Sequence, residues 1–221
     1  MTRDTPPFDP RPRAGWADVA KGVCIILVVL ASRSPARKPL ASVGREEGRK
    51  RMRPLVLSGG PAVGKSTCGR RLAEEHIRGA FIDADDIRQL VVAGDATLWS
   101  GAEGREQHVL AARNVASLAR NFVAAGFAVT IADVVTAEAL AAYRADLPGC
   151  LVVHLAVPLE EARVRAATRT VYLTDDEFDL LHDLVSSPPE VDVVLDVTGF
   201  TIEEQTDAIR AAWASAGPAA D

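Results

Sequence analysis

The stretch LSGGPAVGKST, residues 57–67, constrains this chain more than any other. Gly59, four residues, then Gly64, Lys65 and Ser66 fit the Walker A pattern G-x-x-x-x-G-K-[ST]. Glycines at 59, 60 and 64 let the backbone bend until several N–H groups point inward, and a following helix adds the positive end of its dipole. The expected phosphate cradle is therefore Gly59, Gly60, Pro61, Ala62, Val63, Gly64, Lys65, Ser66 and Thr67. Within it Lys65 reaches the β- and γ-phosphates of ATP, and Ser66 ligates Mg²⁺.

The surroundings suit that pattern. Leu55 to Leu57 read as a short apolar strand, and KSTCGRRLAEEH reads as a helix with Cys68, Leu72 and Ala73 on one face. Further on, strand-like AFIDA, FAVTIAD, CLVVHLAV and VDVVLDV alternate with helix-like stretches. The longest of these runs over residues 103–125, where Val115, Leu118, Ala119, Phe122 and Val123 keep the spacing of a core-facing stripe. Pro158 opens another at its first turn, and Thr174 to Glu177 and Thr201 to Glu204 form capping boxes for two more. Such alternation predicts a three-layer α/β fold on a parallel sheet of about five strands, with phosphate bound at the carboxyl ends of the strands.

The net charge of −5 conceals two unlike parts. Residues 1–53 hold 12 Lys+Arg against 5 Asp+Glu, and residues 54–221 the remaining 13 against 25. An acidic core argues against nucleic acid as a partner, because affinity for a phosphate backbone comes mostly from Lys and Arg. Cys24, Cys68 and Cys150 are scattered and read as reduced thiols; His76, His108, His154 and His182 form no metal-ligand spacing and read as core or surface residues.

Residues 1–53 read as a basic, disordered extension dispensable for the chemistry, with residues 54–221 as the folded domain. The apolar run GVCIILVVLAS is about half the roughly 20 residues that a membrane span needs. It could pass for the apolar part of a signal peptide, but Asp9 and Asp18 before it weaken that reading. Dependence on ATP points to the cytoplasm, as a monomer or homodimer.

What chooses a reaction is DADDIR, residues 83–88, at the end of the second strand. Transfer of a phosphoryl group to a hydroxyl benefits from a carboxylate that accepts the hydroxyl proton and aligns its oxygen. Asp85 is the expected base, with Asp83 as the alternative; Arg88, one helical turn on, is expected to bind the acceptor. The bland reading is an acidic cluster capping a helix from Ile87, a role that suits Asp86. Asp133, ending the third strand, reads as a carboxylate that holds Mg²⁺ with Ser66. Arg165 and Arg169, four apart, are expected to close over the γ-phosphate as a lid; Arg163 serves equally well there or in surface pairing with Glu160 and Glu161.

Taken together, GGPAVGKST, DADDIR, VTIADV and VPLEEARVRAATR resemble the P-loop kinases that phosphorylate hydroxyl groups, over residues 54–215. Chloramphenicol phosphotransferases look similar in the loop, in the Asp of the second strand and in the Asp-Val after the third. That resemblance implies that Asp85 deprotonates the acceptor hydroxyl. Polynucleotide 5′-kinases resemble the chain in DDIR and in a lid with paired Arg, matched here by Arg165 and Arg169, but the acidic core departs from them. Zeta-type toxin kinases are a third similar group, and shikimate and gluconate kinases share the general plan without a full signature here. Separately, AGWADVAKGVCIILVVLAS, within residues 14–31 and their edges, resembles the first membrane helix of integral-membrane acyltransferases, with that family's catalytic region missing. The expectation is an ATP- and Mg²⁺-dependent phosphotransferase acting on a small hydroxyl compound, an antibiotic or metabolite. The alternatives are a polynucleotide or nucleotide 5′-hydroxyl kinase and a nucleotide-binding regulator.

Overall fold

Strand β1, Leu55–Gly59, is buried along its whole length. An apolar strand without polar alternation must be covered on both faces, and β1 lies at the centre of a five-stranded sheet. The structure is a computed structural model that describes residues 52–168 and 173–217. The basic extension up to residue 51, its apolar run and Arg169 lie outside the described residues.

After β1 come α1 (Lys65–Glu74), β2 (Gly79–Asp83), α2 (Ala84–Arg88), α3 (Gly101–Ala124) and β3 (Ala128–Ala132). The path continues through α4 (Ala137–Asp146), β4 (Leu151–Ala156), α5 (Leu159–Ala166), α6 (Asp175–Val185), β5 (Val193–Asp196) and α7 (Ile202–Ser215). The sheet order is β2-β3-β1-β4-β5, and every pairing is parallel. Parallel neighbours need crossovers, and the helices that supply them cover the two faces.

Alternation along β1 sorts the core into two layers. Val56 packs with Ile82, Ile131 and Val152 beneath Val115, Ala119 and Tyr143 of α3 and α4. Leu55 and Leu57 face the other way, with Val153 and Leu155, against Leu72 of α1 and Ile209 and Trp213 of α7. Both expected capping boxes are formed, by Thr174 with Glu177 and by Thr201 with Glu204.

Arg53, assigned from sequence to the extension, is instead anchored to the folded part. Its guanidinium donates to the carbonyls of Gly149 (2.7 Å) and Cys150 (3.1 Å), and its own carbonyl accepts from Trp213 Nε1 (2.7 Å). Among the described residues no helix is long and apolar enough to cross a membrane.

Candidate phosphate-binding and acceptor site

The loop between β1 and α1 depends on glycine at two points. Gly59 has φ +139°, and a Cβ there would stand 2.5 Å from the Leu155 carbonyl oxygen of the adjoining strand. Gly64, which caps α1, has φ +99°, and a Cβ would meet Gln205 Nε2 at 2.6 Å. Only glycine allows both the backbone conformation and the approach. Between them the loop wraps Lys65, whose ammonium donates to the carbonyls of Gly59 (2.8 Å) and Gly60 (2.7 Å).

Polar groups brace the loop from below and behind. Gln205 of α7 is fully buried and donates from Nε2 to the Val63 carbonyl at 2.7 Å. Arg165 of α5 donates to the same carbonyl (3.4 Å), to Gln205 Oε1 (3.3 Å), to the Val197 carbonyl (2.8 Å) and to Glu161. The structure thus ties Arg165 to the loop backbone and to the turn after β5. Arg163 does not join it; it pairs with Asp179 of α6 and with Glu160.

Beneath the loop, Ser58 and His154 are buried side by side, with Ser58 Oγ 3.4 Å from His154 Nδ1. Burial, and then the charge of Lys65, lower the His154 imidazole to about 4, so it is neutral at pH 7. A buried neutral histidine adds no repulsion behind a cationic cradle.

On the other side of the loop, Ser66 donates to Asp83 Oδ2 at 2.8 Å. Asp133, expected from sequence to hold Mg²⁺ with Ser66, is not the carboxylate that meets it here: Asp83 ends β2 and takes the Ser66 hydroxyl, and the Asp133 side chain is buried. Asp83 is also the N-cap of α2, accepting from Asp85 N at 3.1 Å. Helix α2 therefore begins at Ala84, before the Ile87 expected from sequence, with Asp85 and Asp86 in its first turn. Burial raises the Asp83 carboxyl, against the hydrogen bonds from Ser66 and Asp85 N that lower it.

Asp133 has a fully buried side chain, and its partners account for it. Oδ2 accepts from Tyr143 Oη at 2.7 Å, and Oδ1 accepts from Val134 N at 2.7 Å and from Arg88 Nη2. The other arm of Arg88 donates to Asp85 Oδ1 at 2.6 Å. His108 completes the cluster: one ring nitrogen stands 2.7 Å from the Val134 carbonyl and the other 3.1 Å from Arg88 Nη2. Because guanidinium only donates, Nδ1 of His108 must accept and Nε2–H must donate, which fixes a neutral imidazole. Burial, then the Arg88 charge, lower its pKa accordingly. Burial works against the charge of Arg88, but Asp133 and Asp85 outweigh it and hold the guanidinium above its ordinary value. The Tyr143 hydroxyl is raised by burial and by Asp133.

Sequence reasoning missed Tyr143 and His108. Tyr143 carries no motif, and His108 reads from sequence only as a core or surface residue. The one usable signal was that DADDIR and Asp133 both end strands, which brings them together when those strands are neighbours.

The donor set suits a hard cation. Ser66 and Asp83 offer oxygen atoms, and no group of three or more His, Cys, Asp or Glu among the described residues could hold a metal unaided. Mg²⁺ bound through one or two protein oxygens, waters and substrate phosphates fits those residues.

No protein-family profile matches the sequence, and no curated protein is significantly similar to it. Solved structures do match. A sugar kinase from Janibacter sp. superposes with a TM-score of 0.59 at 20% identity, over 76% of this chain and 96% of that one. A gluconokinase from Sinorhizobium meliloti gives 0.57 at 19% identity, over 76% and 95%. A shikimate kinase from Acinetobacter baumannii, solved with shikimate, gives 0.54 at 20% identity, over 75% and 95%. At such identities the likeness is one of fold: over about three quarters of its length this chain shares the parallel α/β fold of these kinases.

Proposed function

We propose that the protein is an ATP- and Mg²⁺-dependent phosphotransferase that moves the γ-phosphate to a hydroxyl of a small molecule. One observation carries the reading: the cradle of Gly59–Thr67 and the acidic end of β2 meet through the Ser66–Asp83 hydrogen bond, with Asp85 two residues further on. That arrangement has a donor end and an acceptor end. A nucleotide switch or regulator has no use for the second. The fold shared with sugar, gluconate and shikimate kinases supports the same reading.

In this mechanism the inward N–H groups and Lys65 hold the β- and γ-phosphates, the ammonium exchanging the Gly59 and Gly60 carbonyls for phosphate oxygens. Ser66 and Asp83 would hold Mg²⁺, which would supply neutralisation of the phosphate charge. Asp85, exposed at the start of α2 and oriented by Arg88, accepts the hydroxyl proton as the acceptor oxygen bonds to the γ-phosphorus and the bond to ADP breaks. Arg165 keeps the loop in shape for this, and Arg169 remains the candidate for charge stabilisation over the γ-phosphate.

The test is transfer of labelled γ-phosphate across a panel of small hydroxyl compounds and 5′-hydroxyl oligonucleotides. Mg²⁺-dependent transfer to a small compound is the expected result. Transfer only to oligonucleotides would replace this reading with the nucleic-acid one, and ATP binding with no transfer to any member would support a regulator.

A further inference from the structure

Arg88 is hydrogen-bonded to the proposed base, and its charge is already shared between two carboxylates. One arm holds Asp85 at 2.6 Å and the other holds Asp133. The two carboxylates differ in freedom. Asp133 is sealed in the core by Tyr143 and Val134 N, whereas the Asp85 side chain is 76% exposed. Asp85 holds the outward arm of Arg88, so an anion that took that arm would displace Asp85 and cost the base its orientation. His108 offers no substitute, since its nitrogens are used on Arg88 and the Val134 carbonyl and it is neutral. Arg105 of α3 acts on a carboxylate too: Glu138 is held below its ordinary range by its own backbone N–H and the Thr136 hydroxyl, and further by Arg105. With Lys65 and the Mg²⁺ expected at Asp83 turned to the ATP phosphates, the described charges left beside an acceptor are Asp85 and Asp133 against Arg88, a balance that disfavours a carboxylate or phosphate on an incoming acceptor.

We infer that the acceptor is an uncharged hydroxyl compound, bearing neither carboxylate nor phosphate, and that Arg88 is a positioning residue that aims Asp85. This rests on the phosphotransferase reading above. It revises the expectation that Arg88 itself binds the acceptor, and it separates this site from those of enzymes whose acceptors are sugar acids.

The experiment uses the full chain with Mg²⁺ and a non-hydrolysable ATP analogue. The Arg88 Nε–H resonance, assigned by its loss in Arg88→Gln, is followed by NMR while gluconate, glycerate and shikimate are added, each beside its uncharged counterpart glucitol, glycerol or methyl shikimate. The expected result is no saturable shift of that resonance with any carboxylate. A saturable shift with a carboxylate compound would overturn the inference whether or not transfer is ever detected. With ATP, the uncharged member of a pair should be phosphorylated with kcat/KM at least about tenfold above its anion, and a tenfold preference for the anion would overturn it. In Arg88→Gln, verified to bind ATP, a positioning role predicts kcat lower by about 100-fold with acceptor KM within about threefold; a rise in KM at unchanged kcat would assign Arg88 to acceptor binding instead. Failure of the phosphotransferase reading looks different: no pair member is phosphorylated, yet the Arg88 resonance still reports whether an anion can reach it.

Discussion

Asp85 and His154 stand on opposite sides of the loop and make opposite kinds of prediction. Asp85 is exposed and held by one arm of Arg88, so Asp85→Asn keeps the shape and a hydrogen-bonding oxygen while removing the base. Transfer should fall by about 10²–10⁴-fold while ATP affinity stays within about threefold, measured by single-turnover transfer and nucleotide titration. His154 speaks to stability. Its pKa is lowered from 6.5 to about 4 by burial and by Lys65, so the unfolded chain takes up this proton first. Stability from this group is complete above pH 6.5 and declines as the pH falls toward 4, by about 3 kcal/mol at the lower end. Urea unfolding between pH 7 and pH 4.5 should show that decline for the parent chain and a reduced one for His154→Gln; equal slopes would assign the acid sensitivity elsewhere. His108, lowered by burial and Arg88, contributes in the same direction.

Individual elements were largely written in the local sequence, and their failures have local causes. The strand expected over CLVVHLAV is present as Leu151–Ala156, and that over VDVVLDV is shorter, Val193–Asp196. Ends depend on where a neighbour's backbone stops offering partners, which no periodicity encodes. The start of α2 was misplaced because three aspartates in four residues all suit a helix N-terminus; only the hydrogen bond from Asp85 N singles out Asp83. Helix α7 gives the test for this scale. Its N-terminus is secured by Thr201 and Glu204, and Gln205 behind them holds the loop at Val63. Thr201→Ala should cost about 1 kcal/mol in chemical denaturation. Gln205→Ala should also weaken ATP binding, because the Val63 carbonyl loses its buried donor.

At the scale of the whole molecule, the alternation of strands and helices made the sheet legible, but not the order of its strands. Placing β3 between β1 and β2 puts Asp133 beside DADDIR and brings His108, from α3, and Tyr143, from α4, onto the same carboxylate and guanidinium. Asp83 and Tyr143 are 60 residues apart, and nothing in any short window announces their meeting. The edge of the fold was also set by distant partners: Arg53 bonds to Gly149, Cys150 and Trp213. A chain begun at Met52 should therefore melt within about 2 °C of the full-length protein, whereas one begun at Pro54 should melt several degrees lower, read by calorimetry.

The enclosure of Asp133 also bears on how readily a chain of this kind could change its diet. If the charge of Arg88 is shared between Asp85 and the buried Asp133, acceptor preference has a control placed one layer behind the surface a substrate would touch. Asp133→Asn keeps the shape and an oxygen for Arg88 and Val134 N, with its amide NH2 turned to Tyr143 Oη, and it removes one negative charge from behind the guanidinium. Such a variant should narrow the preference for glucitol over gluconate without any alteration of the acceptor surface, measured as the ratio of kcat/KM for the pair. Divergence between sugar-acid and neutral-polyol chemistry on this fold would then need one hidden substitution, and comparison of pocket-lining residues alone would not reveal it.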